Sequence, residues 1–366
     1  VDGGARVNGI ARWALAALVA LGSPAIAAAA AMPAPAPALV FLDNDFSGPG
    51  DTNVQSLVPL LHDDAVRIVG LGVVTGDAWR NEEAQSLLRV LEIAGRPDIP
   101  VYLGAEMPLL RTPTEMHRWV DAYGRQTWLG AFTDAAPGQP YHPSAPEFVP
   151  PMAEGTPKLA ASHEDAVAAL IRLVRANPGK ITIIAAGPLT DIALAVRIAP
   201  DLPALAKAIV IEGGNVDDDV ATATAGLDAM DFNFFFDPEA AHIVLTSPWP
   251  RIVVLSDASR SVIFTKATVA QIATSPTPLA HYLTTYAQTG EPMWDEITTA
   301  VATDPTLITK EAVVVMDVDT MPGMHYGRAQ IWSDAFAPKS GAQHVHLVLG
   351  IDGARFVRAF IAAAKQ

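Results

Sequence analysis

Short, mostly apolar runs alternate along this chain with segments of helical spacing, and that alternation narrows the possible folds more than any other feature. The apolar runs include LVFL (39–42), AVRIVGLGVVT (65–75), IPVYLG (99–104), KITIIAAG (180–187), AIVIEGG (208–214) and PRIVVLS (250–256). Between them lie amphipathic stretches such as NEEAQSLLRVLEIAG (81–95), with Ala84, Leu87, Leu88 and Leu91 on one face, and HEDAVAALIRLVRAN (163–177). LTDIALAVRIAP (189–200) and DPEAAHIVLTS (237–247) are further helices of the same kind. A strand with no polar alternation must be covered on both faces, which is the condition of a parallel sheet with helices packed on each side. The expected fold is therefore α/β: a Rossmann-like, mainly parallel central sheet flanked by helices, in a single domain. The 366 residues, half of them hydrophobic, are ample for such a core. The Pro-rich stretch 135–151 reads as one long irregular insert, a lid or a surface loop.

The first strand runs directly into acid. LVFLDNDFSGPGDTNVQSL (39–57) places Asp43, Asp45 and Asp51 just past an apolar run, threaded through glycine and proline. Open α/β sheets hold their ligands at the carboxyl ends of their strands. Carboxylates repel one another, and a bound divalent cation is the usual reason for crowding them. Asp43 and Asp45 together read as a metal site. Asp51 reads equally as the cap of a helix over 52–61. The chain contains no cysteine, so thiol nucleophiles, disulfides and zinc–thiolate sites are excluded and any metal must take oxygen or imidazole ligands. A net charge of −15, from 39 acidic and 24 basic residues, argues against nucleic acid as a partner.

Two further places repeat this pattern of polar groups at an element's end, and a fourth stretch is a separate candidate. In IIAAGPLTD (183–191) a strand turns through Gly187 and Pro188, where backbone carbonyls such as that of Ala186 could face a cation. In EPMWDEITTA (291–300) Asp295 and Glu296 open a helix, a position that favours acids through the helix dipole alone. In MDFNFFFDPEAA (230–241) Asp231 and Asn233 lie two apart in what reads as an extended run, so that both point to one side and could contact one sugar. The nine histidines read as surface or packing residues.

The start of the chain has the order of a secretory leader. Arg6 and Arg12 precede WALAALVALG (13–22), and AIAAAAA (25–31) supplies small residues for cleavage. The apolar core is too short for a comfortable membrane span. The expected organisation is a signal peptide over 1–31, an Ala/Pro-rich spacer over 32–38 and a catalytic domain over 39–366, in a protein exported to the periplasm or secreted.

In LDNDFSGPGD, GVVTGD (72–77), AAGPLTDIALAVRIAP, IVIEGG, DFNFFFDPEAAHIV and MWDEITTAVATDPTLIT the chain resembles the nucleoside hydrolases, the calcium-dependent N-ribohydrolases of the inosine–uridine-preferring superfamily. The likeness is collinear from about Leu39 to the C-terminal helix, and the DND and WDE blocks are most similar to the exported bacterial and fungal branch. It implies hydrolysis of the N-glycosidic bond of a small-molecule nucleoside, with Ca²⁺ as cofactor, in a homo-oligomer (dimer or tetramer) with no stable membrane span. It implies that Asp45 is both metal ligand and the base that activates water, that Asp295 is a second carboxylate ligand, and that Ala186 adds its carbonyl oxygen. Asp77, Asp231 and Asn233 would hold ribose hydroxyls. The family's first motif ends in two adjacent acids, and here the matching pair is Asp51–Thr52. Either Asp51 binds ribose and Thr52 replaces a calcium ligand, or the loop shifts and Asp51 itself is the ligand. Trp294 stands where broadly acting members carry an acid histidine and purine-preferring members carry a stacking tryptophan, so the likeness leans towards purine nucleosides. Among Trp79, Trp119 and Trp128, the last is preferred as a second aromatic wall. Two rival readings are a phosphatase of the haloacid-dehalogenase type, from DND after a strand, and an exported nucleoside- or sugar-binding protein with an impaired hydrolase site.

Overall fold

The structure is a computed structural model that describes residues 36–124, 126, 128–133, 145–216 and 230–366. The expected leader, the first part of the spacer and residues 135–144 of the Pro-rich insert lie outside the described residues. Those described fall within one unit, Ala36–Gln366.

The strands are β1 (Ala38–Asn44), β2 (Val66–Val73), β3 (Val101–Leu103), β4 (Ile181–Ala185), β5 (Ala208–Ile211), β6 (Ile252–Val254), β7 (Ile308–Val318), β8 (Ala329–Trp332) and β9 (Gln343–Ile351). They form one sheet in the order β3-β2-β1-β4-β5-β6-β9-β7-β8. The pairs from β3 across to β9 are parallel, and β7 runs antiparallel to both β9 and β8. Three strands at the C-terminal end, β7 to β9, thus extend the sheet beyond the runs read from sequence.

Each apolar run is buried on both faces because its side chains alternate between two cores. Val40 and Leu42 of β1 and Ile184 of β4 enter one core. It is covered by Leu87 and Leu91 of the helix Arg80–Ile93, Ile297 and Val301 of the helix Trp294–Thr303, and Phe356 and Phe360 of the helix Gly353–Ala364. Phe41, Ile181, Ile183 and Ala185 point the other way, against the helices Ala166–Ala176, Thr190–Ile198 and Pro238–Leu245. Each such Leu, Ile or Phe contributes about 1.5–3 kcal/mol when fully buried, so neither face could be left to solvent. Among the described residues no helix is long and apolar enough to cross a membrane.

The strand order has a consequence for position. From β1 the chain winds outward through β2 and β3, then returns to lay β4, β5 and β6 on the other side of β1. Beyond the carboxyl ends of β1 and β4 the connections diverge, and a crevice opens at this switch point.

Two local expectations are corrected. The helix over 52–61 is two short helices, Thr52–Gln55 and Val58–Leu61, because Pro59 has no N–H to continue the first. The run holding Asp231 and Asn233 is not extended but a short helix, Phe232–Phe236, capped by Asp231, whose Oδ1 accepts from the Phe234 N–H at 2.9 Å. The turn divides the consecutive phenylalanines between two places. Phe234 enters the core beneath β4 and β5, while Phe235 and Phe236 join an aromatic cluster with Trp79, Trp119 and Phe132.

Candidate active site

The end of β1 delivers Asp43, Asn44 and Asp45, all at most 1% exposed. Asp45 is held from two sides: Oδ1 accepts from Asn53 Nδ2 at 2.8 Å and Oδ2 from the Asp77 N–H at 2.9 Å. Two glycines make room for it. A Cβ on Gly76 would stand 2.1 Å from Asp45 Oδ2, and one on Gly187 would stand 2.7 Å from the Asp45 nitrogen and 2.9 Å from Oδ1. Gly187 follows β4, so the βα turn after that strand closes directly on the acid.

Asn44 links this strand to the distant third motif. Its Nδ2 donates to Asp295 Oδ2 at 3.0 Å and also reaches the Asn53 carbonyl at 3.2 Å. Asp295 and Glu296 open the helix Trp294–Thr303, both buried. Thr52 lies against the same turn. Its hydroxyl donates to Glu296 Oε2 at 2.5 Å and accepts from the Asp295 N–H at 3.2 Å. Asp51 caps its own helix by accepting from the Thr52 N–H at 2.7 Å. Trp294, half-buried, is the first residue of the Asp295 helix. Trp128, 37% exposed, donates from Nε1 to Asp77 Oδ1 at 2.5 Å, whereas Trp79 and Trp119 are buried in the aromatic cluster. On the β4 and β5 side, Asn233 Nδ2 donates to the Ala186 carbonyl at 2.8 Å and to Glu212 Oε2 at 2.8 Å.

The fold therefore gathers residues separated by up to 251 positions around one point of the crevice. The electrostatics record the crowding. Burial pushes Asp45 well above the usual carboxylate range, and repulsion from Asp77, Glu83 and Asp295 pushes it further. Asp295 is raised by burial and then by Glu296, Asp77 and Asp51, against a lowering hydrogen bond from Asn44. Asp77 is raised to about 7 and Asp51 to about 6, again chiefly by burial. Glu296 is pushed up to about 8. Glu212, raised by burial, also feels Asp231 and Asp295. Like charges held in a low-dielectric crevice stay ionised only with compensating positive charge.

Asn44, Asn53, Glu83 and Glu212 belong to this cluster and were not singled out from sequence, and Glu296, read there only as an acid favoured at a helix start, belongs to it as well. Glu212 carried a usable signal: it is an acid directly after an all-apolar strand, as Asp43 is. Asn53 carried none, because an amide in the first turn of a short helix is ordinary.

The donor set suits a hard cation. It offers the Asp45 and Asp295 carboxylates, the Ala186 carbonyl, the Thr52 hydroxyl and the Asn53 Oδ1, a buried oxygen without a hydrogen-bond partner. Among the described residues no group of three acidic or imidazole side chains is arranged to hold an ion, so neutral oxygens would have to complete the shell. A cavity of about 520 Å³ lies elsewhere, between the helices Ala166–Ala176 and Thr190–Ile198, and shares no residue with this cluster.

The same chain is similar along its length to known proteins. It is 29% identical over 339 residues to the uncharacterized protein C800.11 of Schizosaccharomyces pombe, covering 87% of this chain and 82% of that one. It is 25% identical over 304 residues to a pyrimidine-specific ribonucleoside hydrolase, RihB, of Escherichia coli O1:K1, covering 79% and 85% of the two chains. Its fold superposes on the purine-preferring ribonucleoside hydrolase of Gardnerella vaginalis with a TM-score of 0.69, at 19% identity, over 89% of this chain and 98% of that one. The family model described as inosine-uridine preferring nucleoside hydrolase matches residues 40–358. With its acids gathered at the switch point of that fold, the chain belongs to the inosine-uridine preferring nucleoside hydrolase family, glycosidases that hydrolyse N-glycosyl bonds.

Proposed function

We propose that this protein is a calcium-dependent ribonucleoside hydrolase that prefers purine nucleosides, releasing free base and ribose. The observation that carries the reading is the bridge from β1 to the Trp294–Thr303 helix, Asn44 Nδ2 to Asp295 Oδ2 at 3.0 Å, which sets the carboxylates at positions 45 and 295 in one crevice. Asp45, Asp295, the Ala186 carbonyl and either Thr52 or Asp51 would hold the ion. When bound, it would offset the mutual repulsion of these acids and make water at the site easier to deprotonate.

The remaining chemistry belongs to this chain's own groups. Asp45 takes a proton from the attacking water, a role worth about 100- to 10,000-fold for a positioned base. The water oxygen bonds to the anomeric carbon as the C–N bond breaks, and the electron pair leaves with the base. The sugar passes through an oxocarbenium-like state, as in other glycoside hydrolysis. Its positive charge is stabilised by surrounding carboxylates, Asp231 and Asp77 among them. Asp77, Asp231, Asn233 and, where Thr52 takes the ligand role, Asp51 hold ribose hydroxyls. Trp294, half-buried at the start of the Asp295 helix, stacks on the leaving base, and Trp128 forms the opposing wall. Stacking raises the basicity of the purine, so that solvent supplies its proton. The leader-like start and the family likeness support an exported protein, and the family likeness a homo-oligomer.

Release of hypoxanthine from inosine, measured with calcium and with a calcium chelator, tests the reading. Turnover lost on chelation and restored by calcium is expected. Binding of inosine without release would favour a binding protein, and release of phosphate from phosphorylated substrates instead would favour the phosphatase reading. Comparing inosine with uridine tests the base preference.

A further inference from the structure

Glu212 stands at the carboxyl end of β5, 6% exposed, and no step above uses it. Its carboxylate touches two elements. Oε2 accepts from Asn233 Nδ2 at 2.8 Å, and Oε1 accepts from Ser259 Oγ at 3.1 Å. Asn233 Nδ2 also donates to the Ala186 carbonyl at 2.8 Å. A carboxamide nitrogen has two hydrogens, and both are engaged here. Asn233 therefore turns only its Oδ1, an acceptor, to anything further. Flipping the amide would set Oδ1 against the Ala186 carbonyl and the Glu212 carboxylate together, three acceptors facing one another without a proton. An acceptor at 212 thus decides which way Asn233 points.

The other end of the contact is anchored as firmly. Ser259 is fully buried, and its hydroxyl is shared between Glu212 and the Ser256 carbonyl at 2.8 Å. Ser256 has φ of 47°, a left-handed conformation that is unfavourable for a non-glycine residue. It is held there by three hydrogen bonds. Its N–H donates to the Gly213 carbonyl at 3.1 Å, and its hydroxyl reaches the Gly214 carbonyl at 2.8 Å and Asp257 Oδ2 at 3.0 Å. The strain thus sits where the segment Ser256–Ser261 is pinned to the residues that follow Glu212.

We propose that Ser259, Glu212 and Asn233 form a positioning relay that orients the Ala186 carbonyl and presents the acceptor face of Asn233 to a sugar hydroxyl. Glu212 is a positioning residue: it touches neither the reacting atoms nor the sugar and acts through Asn233. One lone pair of the Ala186 oxygen is engaged by Asn233, which leaves the other to face the crevice. The inference rests on the functional reading above and adds a residue to it.

Three variants test the relay, read by calcium affinity in titration calorimetry and by kcat and KM for inosine. Glu212→Ala removes the acceptor and is expected to weaken calcium binding about 10- to 100-fold, the usual cost of losing a group that orients a ligand, and to lower kcat/KM with it. Glu212→Gln can accept from Asn233 through Oε1 and donate to Ser259 through Nε2, and is expected to recover most of that loss. An alanine variant with unchanged calcium affinity and kinetics, or a glutamine variant as impaired as the alanine one, overturns the relay. Should Glu212→Ala fail to fold, Ser259→Ala replaces it, with a raised KM expected and an unchanged KM overturning the proposal. Absence of nucleoside turnover in the unaltered protein would overturn the functional reading, whereas the ranking of calcium affinities tests the relay by itself.

Discussion

Gly76→Ala isolates the placement of Asp45 from its charge. Gly76 is not among the glycines held at positive φ, so the obstacle to alanine is the space its methyl group needs. That carbon would lie 2.1 Å from Asp45 Oδ2 and 2.7 Å from its Cβ and Cγ. A carbon–oxygen contact needs about 3.3 Å, so the carboxylate must retreat by about 1.2 Å. It has little space to do so, because Asn53 and the Asp77 N–H hold both oxygens and Gly187 presses from the β4 side. A reacting group displaced by about 1 Å costs about 100-fold in rate, or about 2.7 kcal/mol of barrier. Overpacking should also lower stability by about 1–3 kcal/mol. The assay is the initial rate of inosine hydrolysis at saturating calcium, resolved into kcat and KM, with thermal unfolding alongside. A fall mainly in kcat is expected, since Asp231 and Asn233 approach from β5 and are untouched. Gly323→Ala, where an added Cβ meets only the Met321 carbonyl at 4.0 Å, is the control. A folded Gly76→Ala protein with kcat within about threefold of the unaltered one would refute the idea that Asp45 acts from this position.

Asp45→Asn and Asp295→Ala should abolish turnover, by at least about 100-fold in single-turnover assays; near-normal rates in the Asp45 variant would remove it as the base. Trp294→Ala should reduce purine turnover by about 10- to 100-fold, in line with the loss of one stacked base, and reduce pyrimidine turnover less; equal losses for inosine and uridine would end the stacking role. Asp191→Asn tests the buried carboxyl pair Asp43–Asp191, next to the proposed ligands but not among them. Burial raises Asp191 to about 7, and burial and then repulsion from Asp191 raise Asp43 well above its usual range. An acid whose folded pKa exceeds its unfolded one stabilises the fold while protonated and loses that stability as pH rises through the folded value. Through Asp191, urea unfolding should therefore show the unaltered protein weakening from pH 5 to pH 8 by about 3 kcal/mol, the loss ending near the folded value of about 7. In the variant, an amide that still accepts from the Ala105 N–H, a 2.6 Å bond at present, should flatten the profile. Parallel profiles would refute the pairing.

The architecture was legible because parallel strands leave an unmistakable pattern. IIA of β4 or AIVI of β5 can be continuous and apolar only if both faces are covered, and the helical spacing between such runs supplies the cover. The acids at 43 and 45 were legible as candidates because they stand at the end of a buried strand, but the sequence read them as one metal site, whereas in the structure Asp43 pairs with Asp191 and only Asp45 turns to Asn53 and the Asp77 N–H. The C-terminal strands were harder to read. β7 carries Lys310, Glu311 and half-buried positions over much of its length, and half-exposed antiparallel strands leave a weaker trace. The stretch holding Asp231 and Asn233 was misjudged because its run of phenylalanines suits a strand. Only the cap formed by Asp231 and the division of Phe234, Phe235 and Phe236 between two cores make it a helix.

Local pattern thus decides which elements form and which acids stand at their ends, because burial and hydrogen-bonding period act over a few residues. Tertiary structure alone decides which of those acids meet. Nothing in the spacing of Asn44 and Asp295 requires a hydrogen bond between them, nor does anything near Glu212 announce that it will hold Asn233. Those contacts exist because the strand order reverses at β1 and β4, and that reversal brings distant loops to one crevice, where their shared charge acquires a chemical use.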